Sequence, residues 1–385
     1  MPAISHRRRA GVRGTNGAAY LYLRYWRRQC RQKKKSRTFM FLRPIGMLRD
    51  GENSLSITPM SHYLVTGAVG FIGRRVCEML IEQGHTVTGV DNLNDAYDVR
   101  MKEYRLRKLQ ARPGFAFVKA DISDRQILSP QSTIFNHQFD AVINLAARAG
   151  VRASVENPWV FVDTNVTGTL NLLELCRQKG IRKFILASTS SIYDANAPHP
   201  TPETADSDHP LQPYAASKKA AETLSHSYHA LYGLDVSVLR YFTVYGPAGR
   251  PDMSMFRFAK WISEGEAVHL YGDGEQSRGF TYVDDIADGT IAALQPMGYE
   301  IINLGGHEVI TMNGVIGMLE RRIGRKAIIE RHPPNPADML TSHADVTKAR
   351  ELLGWQPKVG LEEGIGRLVE WYQAERGWAK EIQTG

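Results

Sequence analysis

The apolar run Tyr63-Leu64-Val65-Thr66 leads into a glycine-rich turn, Gly67-Ala68-Val69-Gly70-Phe71-Ile72-Gly73. Beyond it the spacing predicts a helix over Arg74–Gln83 and a second strand over Thr86–Val90 that ends at Asp91. The alternation continues through a strand at Phe115–Val118 before Asp121-Ile122, another at Ala141–Leu145 before Ala146-Ala147, a helical stretch at Thr169–Lys179 and a strand at Lys183–Ala187. Strands separated by helices pair in parallel, because each helix carries the chain back to the edge where the last strand began. The expected fold is therefore α/β, a doubly wound parallel Rossmann sheet. Ligands of such sheets lie beyond the carboxyl ends of the strands, so Gly67, Asp91, Asp121, Ala146 and Ser188 are expected to ring one crevice. From Met1 to about Pro59 no periodicity is sustained enough to build a core.

Charge separates the same two regions. Residues 1–60 hold 14 Lys/Arg against Asp50 and Glu52, whereas the other 325 residues hold 34 Lys/Arg and 38 Asp/Glu. The net +8 is thus a leader of +12 on a body of −4, and no nucleic-acid partner is expected for the body. Three origins are open for the leader: an organelle-targeting segment, a disordered basic arm that touches nucleic acid or anionic lipid, or upstream sequence read from too early a start codon. The third is favoured because Met60 stands just before the first strand, where the composition breaks. No run reaches the roughly 18 apolar residues of a membrane span. Cys30, Cys77 and Cys176 are too far apart for a disulfide framework or a zinc cluster, which fits a reducing, cytoplasmic setting. No His/Cys/Asp cluster with metal-ligand spacing is apparent, so no metal is expected. The sequon Asn165-Val166-Thr167 carries no meaning in such a setting.

The glycines of the turn let backbone N–H groups approach a pyrophosphate at a helix N-terminus. Asp91 stands where a carboxylate accepts hydrogen bonds from an adenosine ribose and repels a 2′-phosphate, so NAD is expected as the cofactor. Tyr214-Ala215-Ala216-Ser217-Lys218 follows Pro213 on a predicted helix, which puts Tyr214 and Lys218 on one face, a turn apart. A phenol is a poor base at neutral pH, but a nearby ammonium and a nicotinamide cation favour its phenolate form. Ser188-Thr189-Ser190-Ser191 ends a strand at the same edge of the sheet, where the Thr189 hydroxyl can hold the reacting oxygen.

With these segments in place the chain resembles an extended short-chain dehydrogenase/reductase of the NAD-dependent epimerase/dehydratase family. The resemblance runs from about Ser61 to Arg376. It rests on Gly67–Gly73, Asp121-Ile122, Leu145-Ala146-Ala147, Tyr214–Lys218, the segment from Arg240 to Pro247 and the segment from Arg278 to Asp285. It implies cofactor contacts at Gly67, Gly70, Phe71, Ile72, Gly73, Asp91, Asp121, Ile122, Leu145, Ala146, Ala147, Tyr214 and Lys218. It also implies a smaller C-terminal α/β domain that holds a nucleotide diphosphate sugar, with Arg278 on the diphosphate. The domains would be the basic leader (1–60), the NAD-binding domain (61–245) and the nucleotide-sugar domain (246–378), with interleaved segments. Asp338 would lie near the uridine or its ribose. A homodimer through helices 167–179 and 213–232 is implied in the same way.

Sugar dehydratases of the family carry an Asp-Glu pair just after the strand-end hydroxyl, and the decarboxylases a Glu at the second position. Here Ser190 and Ser191 stand there, and neither has acid or base character near neutral pH. What remains is oxidation at C4 and return of the hydride to the other face, an epimerisation with NAD retained. Three stretches, 91–98, 149–152 and 242–253, resemble the UDP-glucuronate 4-epimerase branch. Ser190, Ser191 and Thr243 with Arg152 or Arg250 could then hold a sugar carboxylate. Asp194, in place of a usual glycine, and Ala248, in place of a usual tryptophan, depart from that pattern. A neutral-sugar epimerase, a UDP-glucuronate decarboxylase and a non-catalytic Rossmann binding protein that uses the leader stay open.

Overall fold

A computed structural model describes residues 60–334 and 339–384. The leader up to residue 59, and Asp338, lie outside the described residues.

The chain starts with β1 (His62–Thr66), α1 (Phe71–Glu82), β2 (Thr86–Asp91), α2 (Arg100–Gln110) and β3 (Phe115–Lys119). There follow β4 (Ala141–Asn144), α3 (Gly168–Lys179), β5 (Lys183–Thr189), α4 (Pro213–Tyr232) and β6 (Asp235–Tyr241). It continues through α5 (Ser254–Glu264), β7 (Ala267–Tyr271), α6 (Val283–Ala292), β8 (Tyr299–Leu304), α7 (Met312–Ile323), β9 (Ile328–His332) and α8 (Leu361–Ala379). Seven strands form one parallel sheet in the order β8-β6-β5-β4-β1-β2-β3. The order reverses between β1 and β4, the switch point at which the crevice of a doubly wound sheet opens. Register brings the carboxyl ends together: Thr66 pairs with Val90 and Asn144, Asp91 with Lys119, and Thr189 with Tyr241.

Alternation along each strand separates two apolar layers. Val65, Ile143, Ile185 and Leu239 face α1 and α6, packing with Val76, Leu80 and Ile286. Their neighbours Leu64, Val142, Phe184 and Val238 face the other way, packing with Leu172 and Leu173 of α3 and Ala221 of α4. Both faces are covered, which is why these strands read as continuous apolar runs rather than alternating ones. Each such buried aliphatic side chain stabilises the fold by about 1.5–3 kcal/mol relative to exposure. A separate cluster in the C-terminal part joins Phe258 and Ile262 of α5, Leu270 of β7, Leu319 of α7 and Leu368 of α8.

Several boundaries differ from the sequence pattern. The first helix begins at Phe71, not Arg74, because the Arg74 N–H already reaches the Gly70 carbonyl at 3.1 Å. Pro213 is the first residue of α4 rather than the residue before it, where its fixed φ suits a helix and its missing N–H costs nothing. A π-helical segment, Val162–Thr167, precedes α3, and nothing in the apolar spacing signals it. No helix among the described residues is long and apolar enough to cross a membrane.

Candidate active site

The turn after β1 is possible only with glycine. Gly67 has φ +66°, and a Cβ there would meet the Ala146 nitrogen at 2.7 Å; a Cβ on Gly73 would meet the Gly67 carbonyl oxygen at 2.0 Å. The Gly70 N–H donates to that same carbonyl at 2.9 Å, which closes the turn directly onto α1. The first-turn N–H groups of Phe71, Ile72 and Gly73 have no intrahelical acceptor, and no acidic side chain offsets the positive end of α1. This cradle fits a dinucleotide pyrophosphate. Thr66 supports it from β1: its hydroxyl donates to Asn144 Oδ1 at 2.7 Å and accepts from the Ala146 N–H at 3.3 Å, which holds Leu145-Ala146-Ala147 against Gly67.

Asp91 ends β2 and is only 7% exposed; it accepts from the Leu93 N–H at 2.9 Å and faces Lys102 Nζ of α2 at 3.7 Å. Burial lowers the Lys102 pKa, and Asp91 opposes that shift. Nothing in the sequence signals this buried ammonium beside Asp91, because α2 has no motif of its own. Asn92 Nδ2 donates to Asp121 at 2.8 Å, tying the ends of β2 and β3 together. Burial alone would raise the Asp121 pKa, but hydrogen bonds from Ser123 and Asn92 outweigh it and hold the carboxyl below its ordinary value. The Ile122 side chain closes on Gly168, where a Cβ would come within 2.6 Å of it, and its carbonyl accepts from Asn171 Nδ2 at 2.8 Å.

At the end of β5 the Thr189 hydroxyl accepts from the Ser191 N–H at 3.1 Å. Tyr214, on the first turn of α4, lies beside it. Burial raises the Tyr214 pKa, while Thr189 and the charge of Arg250 lower it. Lys218 is 2% exposed and burial pulls its pKa down to about 8; the charge that opposes this is Glu222, one further turn along α4. Glu222 is buried and accepts from Ser188 Oγ at 2.5 Å and from Arg240 Nη2 at 2.9 Å. Asn165, noted only as a sequon residue, is buried in the π-helical segment. Its amide donates to the Arg148 carbonyl at 3.0 Å and to Ser217 Oγ at 2.9 Å, and Ser217 donates to the Tyr214 carbonyl at 2.7 Å. The nitrogen that a glycan would need is thus occupied in fixing the start of α4.

On the other side of Tyr214, Arg250 is bidentate to Asp252 at 3.1 and 2.5 Å. Arg257 of α5 is a further cation, so two guanidinium groups, Arg250 and Arg257, act on the Asp252 carboxylate, and Arg152 adds its charge near Arg257. Such a group suits an anionic ligand. Arg152 lies over the Tyr271 ring at 4.5 Å. Ser190 is buried and Ser191 half-buried in a short 3-10 turn, and the half-buried Thr243 accepts at its carbonyl from the Thr281 N–H at 2.8 Å. Arg278 donates to the carbonyls of Ser277 and Met339 at 2.7 and 2.6 Å. The structure therefore brings together Thr189, Ser191, Tyr214 and Arg250, while Arg152 is directed to Tyr271 and Arg278 to main-chain carbonyls. Asp194 takes part in a turn, accepting from the Asn196 N–H at 2.8 Å. Ala248 is buried at φ +53°, and its carbonyl accepts from Arg105 at 3.1 and 2.8 Å.

Comparison with known proteins adds independent findings. The model of the NAD dependent epimerase/dehydratase family matches residues 63–305. The chain is 58% identical over 327 residues, 84% of its length and 100% of the relative's, to a UDP-glucuronate 4-epimerase of Thermodesulfobacterium geofontis. It superposes with a TM-score of 0.75 on the UDP-glucuronic acid 4-epimerase of Bacillus cereus in complex with UDP-glucuronic acid and NAD, at 34% identity over 82% of this chain and 99% of that one. The UDP-glucose 4-epimerase of Thermotoga maritima with UDP-glucose also gives a TM-score of 0.75, at 36% identity with the same coverage.

Proposed function

The chain belongs to the NAD-dependent epimerase/dehydratase family, and we propose that it interconverts UDP-glucuronate and UDP-galacturonate by inversion at C4. It is an NAD-dependent nucleotide-sugar epimerase. The observation that carries the reaction type is Tyr214 beside the Thr189 hydroxyl, at a strand end followed by Ser190 and Ser191 rather than by a carboxylate.

Gly67, Gly70, Phe71, Ile72 and Gly73 hold the NAD pyrophosphate, Asp91 the ribose, and Asp121, Ile122, Leu145, Ala146 and Ala147 line the remainder of the cofactor. Bound NAD supplies hydride acceptance and return. The Tyr214 phenolate takes the proton of the C4 hydroxyl and later gives it back, while Thr189 holds the C4 oxygen. Lys218 binds the cofactor ribose and, with Arg250, favours the phenolate. A 4-keto glucuronate is a β-keto acid that loses carbon dioxide if its carboxylate leaves the plane that protects it. Ser190, Ser191 and Thr243, with Arg152 or Arg250, keep it in that plane through hydrogen bonds to a charged acceptor. Arg278 binds the diphosphate, and Asp338 lies by the uridine or its ribose. We further infer a cytoplasmic homodimer in which α3 and α4 pair with their copies; Leu231 and Tyr232, exposed at the end of α4, support that face.

The test is incubation of the purified full chain with UDP-glucuronate or UDP-glucose without added NAD, with products identified by proton NMR. UDP-galacturonate is expected, and Tyr214→Phe should slow its formation by about 10²–10⁴-fold. UDP-xylose would mean decarboxylation, conversion of UDP-glucose alone a neutral-sugar epimerase, and no product from either a binding protein.

A further inference from the structure

We propose that His269, Glu330 and His332 bind one borderline transition-metal dication, of the class of Zn²⁺ or Ni²⁺, on the two-stranded sheet of β7 and β9. These strands pair in parallel, with His269 opposite Glu330 and Tyr271 opposite His332. Residues two apart on a strand share a face, so His332 joins Glu330 beside the cross-strand His269. The ligand atoms of all three lie within 4.8 Å of one another. His269 Nδ1 is 3.0 Å from His332 Nε2, His269 Nδ1 is 3.6 Å from a Glu330 oxygen, and His332 Nε2 is 3.4 Å from the other. Zinc bonds of about 2.0–2.2 Å at tetrahedral angles require ligand separations of about 3.3 Å. The three side chains therefore already lie close to the spacing of three tetrahedral ligands, with one carboxylate oxygen facing each imidazole and a fourth position left for water.

The surroundings hold the rings in this arrangement. His269 stands edge-on to the buried Trp261 at 5.2 Å, and His332 packs on Tyr271 at 5.1 Å. Arg331, which lies between the two β9 ligands, sends its guanidinium to the carbonyls of Gly272 and Asp273 at 3.3 and 2.8 Å. Two imidazoles and one carboxylate select against Mg²⁺ and Ca²⁺, which prefer all-oxygen shells, and against Cu⁺, which prefers sulfur. His269 and His332 are 63 positions apart, so no metal-ligand spacing marks them in the sequence.

Calorimetric titration of Zn²⁺ into the chelator-treated full chain should give one site. Affinity should fall by about 10–100-fold or more in His332→Ala and in Glu330→Gln. Co²⁺ in place of Zn²⁺ should give the visible absorption of a low-coordinate site, lost in both variants. Thermal unfolding of the metal-free variants at the parent temperature separates loss of a ligand from misfolding. Absence of saturable binding by the parent overturns the proposal. So does an isotherm that neither substitution changes, since the metal then sits on other histidines or cysteines of the chain.

Discussion

Helical spacing puts Lys218 one turn beyond Tyr214, but it also puts Glu222 one turn beyond Lys218, and Glu222 is the charge that sustains the buried ammonium. Arg250, from a distant segment, adds its charge beside Tyr214. Lys218 is thus held at a cost to stability. Its folded pKa of about 8 lies below the ordinary 10.5, so between these values the unfolded chain binds more protons and stability rises with pH. At pH 7 both states are protonated, and the full penalty of burying the charge opposes folding. Lys218→Met should therefore raise stability at pH 7 by about 3 kcal/mol while turnover is lost. Urea unfolding at pH 7 and above pH 10 checks this: the gain should shrink at the higher pH, and a destabilised variant at pH 7 would refute the reading.

Among the elements, the β1–α1 turn was legible because every requirement is local. A strand, three glycines at fixed spacing and a helix leave one way to bring backbone N–H groups to a phosphate. α1 starts three residues before the point the spacing marks, since Phe71, Ile72 and Gly73 resemble turn residues and only the Arg74 N–H bond to the Gly70 carbonyl shows the helix under way. Gly67→Ala should cost about 2 kcal/mol or more, from the left-handed backbone and from contact with the Ala146 nitrogen, and should deplete NAD in the purified protein. Gly84 is the control, because it has φ +86° but nothing within 4 Å of an added Cβ. Gly84→Ala should share the backbone cost and keep its NAD. NAD released on denaturation measures both, and equal NAD contents would refute a cradle role for Gly67.

Across the whole molecule, Arg105 joins parts that the sequence keeps far apart. It is 0% exposed, and from α2 it donates to Val69 in the dinucleotide turn at 3.3 Å, to Ala248 at 2.8 Å and to Gly249 at 2.9 Å. Arg105→Met strands these buried carbonyls and should lower stability by about 3 kcal/mol, and it should raise KM for UDP-glucuronate. Arg107→Met, exposed on the same helix, should do neither. Urea unfolding and steady-state kinetics distinguish them, and equal effects would remove the linking role. The sequence by itself determined the first five strands of the parallel sheet, the glycine cradle, the carboxylate at the end of β2 and the Thr189, Tyr214 and Lys218 positions. Each of these depends on residues a few positions apart, or on a strand end whose edge of the sheet follows from the α/β alternation. Only the tertiary structure decided that Asn165 anchors the start of α4, that Arg250 brings its charge to the tyrosine from a distant segment, that Arg257 joins Arg250 beside Asp252, and that two histidines meet a glutamate across β7 and β9. These contacts join segments whose meeting is set by packing, and no local spacing records it.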